Sequence, residues 1–260
     1  GGPNTSKGAE YYWDVNKQSA GVLKEIRQAF LDEDKEKAAQ LTRNNFNGLA
    51  AYEEKDETPF RFGSFTTMGE LYVETGLNEL RMSNYRRILS LDSAMVVVQF
   101  DKDGVQYQRK YFISYPDSVM VMKFTANQSG KQNLILSYCP NSEAKSNLRA
   151  DGKDGLVYTG VLDNNGMKFA FRIKAIHKGG TLEAENDRLI VKGADEVVFL
   201  LTADTDYKMN FNPDFKDPKT YVGNDPEQTT RIMMDQAVQK GYDELYRNHE
   251  ADHTALFNRV

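Results

Sequence analysis

From about Phe65 to Thr205 the apolar residues recur at every second position, run after run, with turn residues between the runs. Successive side chains of an extended strand point to opposite faces, so this period predicts strands half buried against a core. The runs include "SFTTMGELYVET", "NYRRILSLD", "AMVVVQFD", "VQYQRKYFIS", "SVMVMKFTA" and "NLILSYCP". Val105, Tyr107, Arg109, Tyr111 and Ile113 share one face, while Gln106, Gln108 and Lys110 share the other, as a half-solvated antiparallel strand requires. Asp103-Gly104, between two such runs, is a strong hairpin signal. Further strands are predicted at "GLVYTGVLD", "MKFAFRIKAIH", "TLEAE", "RLIVKG" and "EVVFLLTADT", with turns at Asn164-Asn165-Gly166 and Gly179-Gly180. Roughly eleven strands at about 8–12-residue spacing, with no long helix among them, predict a mainly β fold, a sandwich or a barrel.

Helical periodicity flanks this block. Val15, Val22, Leu23, Ile26 and Phe30 mark a first short helix, and "LDEDKEKAAQL" starts a second, with Asp32 or Asp34 as its cap and Asn47-Gly48 as its end. A polar connector with Pro59 follows. After "DFKDPKTYVGNDPEQT", Pro226 suits a first turn, and Ile232, Met233, Ala237 and Val238 form a stripe. A second helical run carries Tyr242, Leu245, Tyr246, His249, His253, Leu256, Phe257 and Val260.

Composition removes several function classes. Apolar residues make up 40% of the 260 and aromatics 11%, enough for a substantial core. The net charge is −5 with Lys and Arg dispersed, which argues against nucleic acid as a partner. The single cysteine, Cys139, rules out an internal disulfide and reads as a small buried hydrophobe. No apolar run reaches the length of a membrane span. The chain opens at "GGPNTSKG" without Met, which points to a segment of a longer protein.

The motif with the sharpest chemistry is His249-Glu250-Ala251-Asp252-His253, an H-E-x-x-H zinc-peptidase spelling. Catalytic zinc needs three protein ligands. Only seven residues follow His253, none of them His, Glu, Asp or Cys, and the one other histidine, His177, lies in a strand pattern far upstream. Both motif histidines also continue an apolar helix stripe, so packing is the expected role and no metal is assigned. "DKDG" at 101–104 lacks the bidentate Glu of a calcium loop and reads as a hairpin turn. Glu70 and Glu74 fall on one face of a strand, where paired acid–base work competes with plain solvation. Trp13 with Tyr11 and Tyr12 offers aromatic faces for a sugar, or for packing against the sandwich.

Several segments, read in order, resemble the N-terminal region of glycoside hydrolase family 95, typically α-L-fucosidases. "GGPNTSKG" resembles the end of that family's L-W-S-G-G-P-x segment, and "EIRQAFLDEDKEKAAQL" its paired helices. Tyr85 to Ala94 is similar to its Y-x-R-x-L-x-L-D-x-A turn, and Arg109-Lys110-Tyr111-Phe112-Ile113-Ser114-Tyr115-Pro116-Asp117 to its R-x-x-F-x-S-x-P-D element. "GADEVVFLLTADTDY" and the terminal H-x-x-D…LF-x-RV complete the series. The resemblance implies a large antiparallel β-supersandwich over residues 1–224, with a helical insertion at about 14–47. It also implies a helical linker over 225–260 towards an (α/α)6 barrel outside the chain. That barrel would be the partner, carrying an inverting mechanism with its acid and base flanking the anomeric carbon. No catalytic residue and no cofactor then falls in this chain, and fucosylated glycans would be ligands of the whole enzyme. His249, Asp252, His253, Leu256 and Phe257 would pack between domains. A periplasmic or secreted bacterial setting follows from the resemblance alone. Two departures stand out: the family's opening strands are absent, and His253 replaces a usual Tyr.

Overall fold

The computed structural model describes residues 21–45, 67–78, 80–140, 144–162, 166–185, 187–214, 217 and 219–259. They fall into two compact units. One contains a helix pair, α1 (Leu23–Leu31) and α2 (Lys35–Asn45). Asp34 caps α2, its Oδ1 accepting the Lys37 amide at 3.0 Å, so the second of the two candidate caps is used. Ile26, Ala29 and Ala38 are buried, but Phe30 and Leu23, expected on the packed stripe, are exposed. The Asn47-Gly48 stop and the Pro59 connector lie outside the described residues.

The other unit holds twelve strands and the last helix. The strands are β1 (Gly69–Glu74), β2 (Ser83–Ser90), β3 (Met95–Lys102), β4 (Val105–Ser114), β5 (Val119–Ala126), β6 (Gln132–Pro140), β7 (Ala144–Ala150), β8 (Gly155–Leu162), β9 (Lys168–Lys178), β10 (Thr181–Ala184), β11 (Arg188–Ala194) and β12 (Glu196–Thr205). They form two antiparallel sheets, four-stranded in the order β1-β6-β11-β10 and eight-stranded in the order β2-β3-β4-β5-β12-β9-β8-β7. The expected mainly β sandwich is present. Its core lies between the sheets, where Leu134, Leu136, Leu189 and Val191 of the smaller meet Phe124, Tyr158, Phe171, Ile173 and Phe199 of the larger.

Local chemistry sets the turns. Asp103 (φ 50°) and Gly104 (φ 77°) both take left-handed conformations between β3 and β4, the requirement of a tight two-residue hairpin. Gly180 is more constrained, because at φ +63° any Cβ would run into the backbone of Lys192 to Ala194. Gly180→Ala is expected to destabilise by about 2–4 kcal/mol, combining left-handed strain with a backbone clash. Thermal unfolding measures it, and an unchanged midpoint would contradict the packing described.

The last helix, α3 (Pro226–Phe257), starts with Asp225 accepting the Glu227 amide and with Pro226 in the first turn. Its backbone breaks at Gly241 (φ 72°, ψ 172°), giving the two successive helical runs that the sequence predicts. The first run departs from its expected stripe, since Met234 is buried and Ile232 is half exposed. No described helix is long and apolar enough to cross a membrane.

Candidate functional site

A two-layer sandwich leaves its outer faces to water, yet the outer face of the eight-stranded sheet carries buried Phe112, Val119, Val121, Val198 and Leu200. α3 covers them with Met234, Ala237 and Leu245, aided by Val238, Tyr242 and Tyr246. The face of β4 that begins with solvated Gln106 therefore ends under a helix. At the centre, the Phe112 ring meets Tyr242 and Tyr246 edge-on at 5.9 and 5.8 Å and stacks on His249 at 4.9 Å.

The histidines of the H-E-x-x-H spelling are spent on the sheet. His249 Nε2 lies 3.1 and 3.2 Å from the carbonyl oxygens of Ser93 and Ala94, and His253 Nε2 lies 2.6 Å from that of Leu91. A carbonyl only accepts, so each Nε2 carries its proton and donates. A zinc ion needs the lone pair at a ring nitrogen, so binding at Nε2 and these bonds are mutually exclusive. Among the described residues no group of three or more His, Cys, Asp or Glu is placed to hold a metal. The rings of His249, His253 and Phe257 succeed one another along the helix at 6.4 and 5.2 Å. Asp252 is half-buried, while Leu256 and Phe257 remain exposed.

Two ionic clusters fasten the same seam. Asp117, just before β5, accepts Lys240 Nζ at 2.6 Å and Asn248 Nδ2 at 3.1 Å through Oδ1, and the Ser114 hydroxyl at 2.6 Å through Oδ2. Burial alone would raise its pKa; the three hydrogen bonds and the Lys240 charge outweigh that and lower it. Glu196 accepts Lys123 at 2.8 Å and Lys178 at 2.9 Å, and Lys123 stands 4.2 Å over the Tyr242 ring. Burial, then neighbouring Tyr246 and carboxylate charges, push the Tyr242 hydroxyl up to about 12.

A polar cleft of about 480 Å³ opens where β7 and β8 meet the start of α3. Its two carboxylates are engaged, Asp225 as the helix cap and Glu227 in a 2.6 Å pair with Arg149. Glu70 and Glu74 sit on the exposed face of β1, where the Tyr72 hydroxyl donates to Glu70. Cys139, expected to be buried, is exposed near the end of the edge-adjacent strand β6. Trp13, Tyr11 and Tyr12 lie outside the described residues, as does Val260.

The model of the glycosyl hydrolase family 65 N-terminal domain matches residues 1–210. The chain belongs to this family. It is also 27% identical over 214 residues to "Probable alpha-fucosidase A" of Aspergillus niger, covering 78% of this chain and 26% of that protein. To "Alpha-L-fucosidase 2" of Arabidopsis thaliana it is 26% identical over 222 residues, covering 75% and 26%. The chain thus spans about a quarter of the length of these curated relatives. Among solved structures, "Putative kojibiose phosphorylase from human microbiome" shares the fold, with TM-score 0.50 and 9% identity over 72% of this chain and 27% of that one. What the matches establish is an N-terminal domain of a glycoside hydrolase.

Proposed function

We propose that this domain is the non-catalytic N-terminal part of a larger, exo-acting α-L-fucosidase-type enzyme, and that it supports a catalytic domain outside these residues. The observation that carries the reading is the pair of fucosidases matched over a quarter of their length each. The geometry agrees with it: the carboxylates of the cleft and of the helix seam cap, pair or brace rather than face one another across an open site. In the finer form of the proposal the parent is a family 95 enzyme, residues 1–224 are the sandwich domain, and 225–260 lead into an (α/α)6 barrel. That barrel would supply the acid and base of an inverting reaction on fucosylated glycans. His249 and His253 then hold the helix on the sandwich, while Asp252, Leu256 and Phe257 are left to face the barrel.

The test compares this 260-residue chain with its full-length parent on an aryl α-L-fucoside. Fucose release by the parent alone is the expected result, and turnover by the isolated chain would overturn the assignment.

A further inference from the structure

Between the two sheets, the segment after β1, the start of β6, the first half of β4 and the end of β5 line a small pocket of about 10 Å³. That is room for about one water-sized particle. Thr75, Arg109, Thr125, Lys131, Gln132 and Asn133 supply its polar lining, which contains no carboxylate. Several of these groups are already used. The Thr125 hydroxyl donates to the Gln108 carbonyl at 3.5 Å, Asn133 Oδ1 accepts the Gly193 amide at 3.0 Å, and Thr75 Oγ1 accepts the Leu77 amide at 3.4 Å. The Arg109 guanidinium, the Lys131 ammonium and the Gln132 amide remain. Gln132 is 4% exposed and its Nε2 has no hydrogen-bond partner. An orphaned buried donor is costly.

Arg109 lines the same pocket, its guanidinium carbon 5.1 Å from the Phe100 ring centroid and 5.8 Å from that of Phe124. Neither Arg109 nor Lys131 joins any of the ion pairs among the described residues. The Arg109 charge offsets part of the rise that burial imposes on the Tyr111 hydroxyl. Arg109 heads the R-x-x-F-x-S-x-P-D element, whose far end, Ser114 and Asp117, fastens α3 on the other side of the sheet. The two faces of one strand thus serve two different places.

We propose that this pocket binds one small monovalent anion, of chloride size or the tip of a carboxylate, between Gln132 Nε2 and the Arg109 guanidinium, with Lys131 adding charge at the rim. Two cations without an ion-pair partner among the described residues and a buried amide donor line a space too small for a phosphate or a sugar.

Chloride NMR of the 260-residue chain, with ionic strength held constant by sulfate, tests it. Protein-dependent broadening of the chloride line is expected and should saturate. Gln132→Glu, which keeps the shape and replaces the donor with a carboxylate, should weaken chloride binding by roughly tenfold or more. Lys131→Gln, at an exposed position, should weaken it less, and Arg109→Met should abolish it. Should Arg109→Met fail to fold, the other two variants still decide. Displacement by formate at concentrations below those of chloride identifies a carboxylate as the preferred source; no displacement identifies a halide. An unbroadened line, or equal broadening by wild type and Gln132→Glu, overturns the proposal. So does a bromide-soaked crystal with no anomalous peak beside Gln132 Nε2, which would leave that donor to water.

Discussion

Asp151→Ala is expected to destabilise the sandwich by about 3–5 kcal/mol, whereas Arg172→Met, which removes the other half of the same ion pair, is expected to be neutral or stabilising. The asymmetry follows from burial. Arg172 lies in the middle of β9, opposite Val157 of β8 and Thr202 of β12, and is 2% exposed. Its Nη1 donates to Asp151, while Nε and Nη2 have no hydrogen-bond partner. The Asp151 side chain, by contrast, is 43% exposed. Deleting the carboxylate leaves a buried cation with no counter-charge, which a low-dielectric interior penalises heavily. Deleting the cation leaves a carboxylate that water reaches, and Met restores much of the lost volume while removing two unsatisfied donors. Urea midpoints at unchanged m-value measure both. Equal losses for the two variants would mean that the pair contributes attraction rather than merely cancelling its own burial.

Most of the strands were legible because period two is strong wherever one face meets a core. The exception is instructive. β7 reads "AKSNLRA", with Lys145, Ser146 and Asn147 all exposed. It closes the far edge of the larger sheet, so few of its residues need be apolar and its alternation is faint. The helix-covered outer face was legible only in hindsight. "SVMVMKF" and "EVVFLL" are near-continuous apolar runs, the pattern of strands covered on both sides. The expectation of a solvated second face came from Gln106 to Lys110 on β4, where α3 does not reach. The packed stripe of α3 slipped for a different reason. Within the first run the buried residues include Thr230, Met234 and Ala237, spaced i, i+4 and i+7, so the packed face is turned from the one that Ile232 and Met233 suggest. The histidines, read in the sequence as part of a packed stripe, lie with Nε2 against backbone carbonyls of Leu91, Ser93 and Ala94. Their partners, carbonyls of the β2–β3 turn 155 and 156 positions away for His249, are backbone atoms and leave no mark in sequence. The same holds for the small pocket at Gln132, assembled from three strands and the segment after β1.

Asp117→Ala is expected to cost about 2–3 kcal/mol, less than a fully buried pair because the Lys240 side chain it abandons is 35% exposed. The carboxylate itself is 2% exposed at the side chain. Its value lies in where its partners sit. Lys240 precedes the break at Gly241 and Asn248 follows it, so one carboxylate grips both runs of α3 and fixes the bend between them. Hydrogen exchange should therefore accelerate in the variant at Leu245 to His249 more than in the sheet core. Asp117→Asn keeps the shape and an acceptor for Lys240, and is expected to lose about 1 kcal/mol. The pH dependence has a definite sign. The folded-state pKa of Asp117 lies below the usual 3.8, so its contribution is complete above that value and is lost only as pH falls through the lower folded value. The stability gap between wild type and Asp117→Ala should be constant from neutral pH down to about 4.5 and then narrow in stronger acid. A gap that instead narrowed between pH 7 and pH 5 would mean that burial, not the Lys240–Asn248–Ser114 cradle, sets the ionisation of this carboxyl.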